Sequence, residues 1–271
     1  DVQEVELIVF LEQYVFRDVN KGNYKKKECE EVMTWALGKP NLDSIVKNVK
    51  FIPTANGTCS SVDQLFDPTA SLRALFQDLP VFPTGTYATS RILHHLRRIG
   101  LRDESQITAQ EIVDIAKGVS QTQDRKRGVA LLTYISQHQY LLSSDTHNGL
   151  WADPLGETLK DIAWVPCEST CPSYPSSLPW FGRSDSLYCP SDVHLIEMAN
   201  LLGSVAPLVR VQRWSEFMFH FGWKSDAKSE CVVRHLKKVI SSCGPRDQNA
   251  GVFEVVSAIY QYVAKISEEE D

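Results

Sequence analysis

The stretch KFIPTANGTCSSVDQLFDP, residues 50–68, reads as a short apolar strand, a polar turn and a helix start. Pro53 stops the strand because it lacks the N–H that a ladder requires. Asn56-Gly57-Thr58 has turn chemistry; its match to a glycosylation acceptor matters only in a secreted protein. Asp67-Pro68 offers an N-cap followed by Pro in the first turn, ahead of TASLRALFQ. The same phrase returns, with an insertion, as AWVPCESTCPSYPSSLPWFGRSDSLYCP over residues 163–190.

The correspondence extends outward from that phrase. Pro53 and Pro166 are 113 positions apart, and at this offset Leu42, Val46, Val49 and Phe51 match Leu155, Leu159, Ile162 and Trp164. Beyond the insertion the offset read from sequence becomes 122, pairing Pro68 with Pro190 and Gly100 with Gly222. Before each glycine lies an apolar triplet at helical spacing: Ile92, Leu96, Ile99 and Trp214, Met218, Phe221. Each is one buried face of a helix ended by Gly. Further on, Gly128-Val129 with Leu131, Leu132 and Ile135 matches Gly251-Val252 with Val255, Val256 and Ile259. The first helix, VELIVFLEQYVF, has the character of the helix that closes each copy. A fixed long period is the signature of repeated supersecondary units. The expected organisation is therefore 1–34 as the end of a preceding unit, 35–142 as repeat unit 1 and 143–271 as repeat unit 2. The expected fold is α+β, predominantly α-helical with short strands, as two tandem repeat units. Thr108 with Glu111 three residues on is a capping box for a helix burying Ile112, Ile115, Ala116 and Val119.

Composition bounds the function. The chain has 271 residues, 43% hydrophobic and 23% charged, with formal charge −6. A general nucleic-acid binder would carry a basic footprint. No run reaches the roughly 20 apolar residues of a membrane span. Seven scattered cysteines are no disulfide framework, which points to a reducing, cytoplasmic setting. The chain begins at Asp1 with neither an initiator Met nor a signal peptide, and reads as a piece of something longer.

Ile52-Pro53, Leu65-Phe66-Asp67-Pro68, Phe82-Pro83 and Gly100-Leu101, in that order and spacing, resemble the internal repeats of the sacsin family. The second copy departs from the pattern: Tyr188-Cys189-Pro190 lacks the Asp, and no Phe-Pro follows. The resemblance implies a cytosolic, chaperone-associated parent carrying a ubiquitin-like domain, a J-domain and repeats that open with an ATP-binding module. Neither the Asp-x-Gly-x-Gly of that module nor the His-Pro-Asp of a J-domain occurs here. The resemblance thus implies the internal-repeat region outside the ATP-binding module: a repeat and scaffold module, not an enzyme, with no cofactor. Its implied partners are other proteins or segments of its parent chain, with the heat-shock chaperone system among them.

Chemistry sought independently is sparse. There is no phosphate loop, H-E-x-x-H or G-x-S-x-G elbow. Ser143, Ser144, Asp145 and His147 bring triad residue types together, although triads are defined by geometry, and a polar turn accounts for them. Adjacent His94 and His95 point about 100° apart on a helix and cannot share one metal. Cys167, Cys171, Cys189 and His194 could form a tetrahedral zinc site. Against it, Cys167 falls at Thr54 and Cys189 at Asp67, so the first copy folds without such ligands. The alternatives to a scaffold are thus a zinc-binding interaction module and a cryptic hydrolase. Basic clusters (Lys25-Lys26-Lys27, Arg97-Arg98, Arg125-Lys126-Arg127) alternate with acidic segments and read as solvated helix ends.

The insertion carries the candidate protein-binding residues. It makes the second interval between prolines nine residues longer and holds Tyr174, Trp180 and Phe181 among prolines and serines. Such a segment cannot continue a helix or central strand, so it must be a surface loop, and Pro172-x-x-Pro175 is a minimal polyproline-type ligand pattern. Either the aromatics pin the loop to its own domain, or they are anchors for a partner.

Overall fold

The computed structural model describes residues 7–138, 154–182, 186–211, 221–224, 226–243 and 250–270. Its contacts divide the chain into two units, Asp1–Ile107 and Thr108–Asp271. Helices dominate both, and the strands are two-residue pairs, so the fold is predominantly helical α+β.

The first unit begins with a helix over residues 7–20 (α1), wound as π-helix across Leu11–Phe16. Lys26–Leu37 (α2) and Asp43–Val46 (α3) follow, then the antiparallel pair Ile52–Pro53 (β1) and Cys59–Ser60 (β2). Ala70–Phe76 (α4) and Ser90–Ile99 (α5) complete it. The core gathers Leu11, Phe16 and Val19 of α1 with Met33, Leu37, Phe51, Ile52 and the Ile92, Leu96, Ile99 stripe of α5. α1, expected as the end of an earlier copy, therefore packs within the first unit.

The second unit opens with Ala109–Thr122 (α6) and Arg125–Gln137 (α7), then Pro154–Leu159 (α8). Val165–Pro166 (β3) pairs antiparallel with Leu187–Tyr188 (β4); His194–Leu195 (β5) pairs in parallel with Leu208–Val209 (β6). Between β5 and β6 lies Ala199–Leu202 (α9), and Ser229–Ser242 (α10) and Ala250–Glu270 (α11) close the chain. Packing thus groups α6 and α7 with the second unit, whereas the sequence period placed them in the first. The contacts explain the grouping: α7 lies against both α6 and β3. A Cβ on Gly128 would sit 2.9 Å from the Trp164 carbonyl, so this approach of helix to strand needs the missing side chain.

Local architecture is shared between residues 51–102 and 164–224 where both are described. Phe51 and Trp164 each precede a Pro-ended strand, and each is buried against an aromatic edge: Tyr87 at 5.3 Å and Phe221 at 6.2 Å. A 3-10 turn follows each hairpin, Val62–Gln64 and Pro190–Asp192. Phe66 then bridges Arg102, as His194 bridges Lys224. The backbone N–H of Phe66 donates to Val81 O at 2.8 Å, and that of His194 to Pro207 O at 3.0 Å. Two residues before each bridge partner stands a glycine at positive φ, Gly100 at 110° and Gly222 at 76°.

This register corrects the pairing of Pro68 with Pro190. Pro190 opens the 3-10 turn that Val62 opens in the first unit, and His194, not Cys189, stands near the Asp67 level. The insertion lies wholly inside the β3–β4 connection. Asp67 is also no N-cap: Thr69 caps α4 through Leu72 N, while the Asp67 carboxylate takes both Arg97 nitrogens at 2.6 and 2.9 Å. A bidentate guanidinium is the stronger partner for a carboxylate. The Thr108 capping box forms as expected, with Thr108 N donating to Glu111 Oε2 at 2.8 Å. Asn56 closes the first turn by accepting from Thr58 N at 3.1 Å.

Candidate functional site

The Pro- and Ser-rich insertion leaves β3 at Pro166 and returns at Leu187. Its prolines supply no backbone donors, and it is tied down by the backbone N–H groups of Glu168, to Leu208 O, and Phe181, to Gly203 O, both at 2.8 Å, together with its side chains. Tyr174 and Leu178 belong to the core of the second unit, with Cys171, Leu202 and Val232. The Tyr174 hydroxyl donates to Pro179 O at 3.2 Å, and its ring meets Trp180 edge-on at 5.1 Å. Trp180 is half-buried, and its indole N–H donates to Glu168 O at 2.9 Å. Of the three candidate anchors only Phe181 is exposed, at 37%, leaning on Tyr188 at 6.1 Å. Burial of the ring holds the Tyr174 phenol above its ordinary value, neutral and donating.

Tyr174 and Trp180 therefore face inward, and Phe181 is the part of the loop a partner could touch. Replacing Tyr174 with Ser is expected to lower stability by about 3 kcal/mol or more, as for other large buried aromatics. Phe181→Ser should change it by less than about 0.5 kcal/mol. Urea unfolding of both variants checks this; a Tyr174 variant as stable as the parent would show that the loop is not pinned.

The other sequence candidates fare differently. Ser143, Ser144, Asp145 and His147 lie outside the described residues. Among the described residues no three His, Cys, Asp or Glu side chains gather into a metal-binding group. Burial pushes the Cys167 thiol up to about 12. Cys189 donates to Asp161 O at 3.3 Å. His94 is exposed and His95 half-buried beside Arg98. The arginines of the basic clusters hold the fold together. Arg98 clasps Asp43 at 2.8 and 2.9 Å and donates to Leu37 O, and Arg125 donates to Cys167 O at 2.7 Å.

Two features escaped sequence reasoning. Ser204 Oγ lies 2.7 Å from His235 Nδ1, and the Ser204 backbone N–H donates to the same nitrogen. Both residues are buried, and burial lowers the imidazole to about 4, so the pair is uncharged at neutral pH. The second feature is on α11. Its inner face, Val252, Val255 and Ile259, packs on α9 and α10. Its outer face carries Phe253 at 74% exposure, Tyr260 at 62% and Val263. GVFEVVSAIYQYVAKI holds two apolar stripes where one core needs one, a signal readable from helical spacing.

The human protein sacsin is 32% identical over 216 residues, covering 72% of this chain and 4% of the human protein. This chain is related to sacsin. It spans a small fraction of that relative's length. No protein-family model matches the chain, and no solved structure matches it. No described helix of this sacsin-related region is long and apolar enough to cross a membrane.

Proposed function

We propose that this chain is a non-catalytic repeat and scaffold module of a sacsin-like protein, acting in cytoplasmic protein quality control through contacts with other proteins or other units of its parent. The observation that carries this is the difference between α7 and α11. Matching the buried faces, Gly128, Leu131 and Ile135 with Val252, Val255 and Ile259, moves Val129 from its sequence pairing with Val252 to an offset of 124, at which Leu132, Val129 and Ser136 of α7 correspond to Val256, Phe253 and Tyr260 of α11. The three α7 residues line a groove against Pro166 and Glu168, where the helix meets the Pro-ended strand β3 that follows it in sequence. Their α11 counterparts include the two most exposed large apolar residues in the described structure. Two solvent-facing aromatics on one stripe have the makings of a docking face, and α7 supplies the geometry for it: a Pro-ended hairpin laid across the helix. The tandem-repeat reading supports this assignment, as does kinship to a much longer protein.

The test compares hydrogen exchange of α11 in this chain with that in a longer sacsin-like chain containing it. Residues 252–263 should exchange more slowly in the longer chain. The pair Phe253→Ser and Tyr260→Ser should erase that protection while leaving the unfolding midpoint of the present chain unchanged. Equal exchange in both settings would end the array reading.

A further inference from the structure

A cavity of about 730 Å³ opens on the first unit, between the end of α1, the start of α2, the β1–β2 hairpin and the turn before α5. That volume lies within the range of small-molecule sites. Val19, Tyr24 and Phe51 give it an apolar wall, and Tyr87 lines it from the inside. Tyr87 is 1% exposed, and its hydroxyl has no hydrogen-bond partner among the described residues. A buried hydroxyl is rarely left unpaired, so this one offers a hydrogen bond to a polar atom that enters the cavity. Burial, with Cys29, Glu30 and Cys59 nearby, holds the phenol well above its ordinary value, so at neutral pH it is a donor. Around the cavity stand Lys21, Lys26 and Lys50 against one carboxylate, Glu30. On a chain of net charge −6 this is a local cationic patch around an apolar pocket.

We propose that this cavity binds a small organic anion with a flat apolar body, its charged oxygens meeting the Tyr87 hydroxyl and the lysines while its body lies on Phe51 and Tyr24. The site is separate from the insertion loop and from α11, and it requires neither for binding.

The probe is 8-anilinonaphthalene-1-sulfonate, an aromatic anion, with uncharged N-phenyl-1-naphthylamine as its neutral counterpart. The chain should bind one sulfonate per molecule with enhanced, blue-shifted fluorescence, and the neutral probe more weakly. Tyr87→Phe keeps the ring and removes the hydroxyl; it should weaken the anion roughly tenfold, as for a hydrogen bond to a charged group. Lys21→Gln with Lys50→Gln should weaken the anion and leave the neutral probe unchanged. Cys59 is exposed and lines the cavity, so saturating sulfonate should slow its alkylation by iodoacetamide while Cys231 reacts at its usual rate. Cys59→Trp, a change at an exposed strand position, should fill the cavity and abolish binding with the unfolding midpoint retained. Unchanged affinity in the Tyr87 and Cys59 variants, or Cys59 alkylation unaffected by the probe, overturns the assignment. Fluorescence that disappears with Phe253→Ser and Tyr260→Ser would place the probe on α11 and overturn it equally.

Discussion

Replacing Trp164 with Ala is expected to destabilise the second unit by about 3–5 kcal/mol, the range for a large aromatic removed from a packed core. Trp164 is wholly buried, its indole N–H donates to Leu159 O at 3.3 Å, and its ring meets Phe221 edge-on. The substitution therefore opens a cavity, deletes an aromatic pair and removes one of two donors to the Leu159 carbonyl, which keeps the Ile162 N–H. Trp164→Phe should recover more than half of the loss by restoring most of the volume. Phe51→Ala should have a similar effect on the first unit, because Phe51 is buried ahead of β1 and packs on Tyr87. Urea midpoints that hardly move in either Ala variant would show that the Pro-ended hairpin is not anchored by its preceding aromatic.

Acid should weaken the second unit through two buried histidines. His194 and His235 are both lowered to about 4, chiefly by burial, with Lys224 beside His194 and Lys238 beside His235 opposing the charged form. Asp226 and Asp192 partly counter this at His194. In the unfolded chain an imidazole takes its proton near pH 6.5. Between about pH 6.5 and 4 the unfolded state therefore binds more protons than the folded one. The stabilisation is complete above this window and is lost as pH falls through it. Each pH unit of displacement is worth about 1.4 kcal/mol, which gives on the order of 3 kcal/mol per histidine. Unfolding free energies measured from pH 7.5 to 4.5 should fall steeply below pH 6.5, and His235→Gln should flatten that slope whatever it does to the plateau. A slope indistinguishable from zero, or histidine titrations near 6.5 by NMR, would contradict the burial argument.

Much of the frame was legible in the order of residues. Pro53 and Pro166 end strands because proline lacks a ladder donor, whatever surrounds it. Gly100 holds the left-handed conformation that ends α5, and Thr108 with Glu111 forms the cap of α6. The stripe Ile92, Leu96, Ile99 is buried as its spacing requires. These are short-range consequences of backbone chemistry and helical period, and they need no knowledge of the rest of the chain.

Competition between partners decided the remainder. Asp67 had the sequence of a helix cap, but Arg97, thirty residues away, holds its carboxylate. Pro68 and Pro190 look alike in sequence, while the hairpin ladder and the Phe66 and His194 bridges set the true register elsewhere. Tyr174 lay in a segment whose composition fits a free loop, yet it is buried beside Val232 and Leu202. The orphaned Tyr87 hydroxyl is likewise invisible along the chain, and of the two apolar stripes that α11 spells out, only packing decides which stays bare. The physical reason is that caps, turns and helix faces are written in residues three or four apart. Which carboxylate finds which guanidinium, which ring finds the core and which hydroxyl finds no partner depend on residues far apart in sequence. Only tertiary packing brings those together.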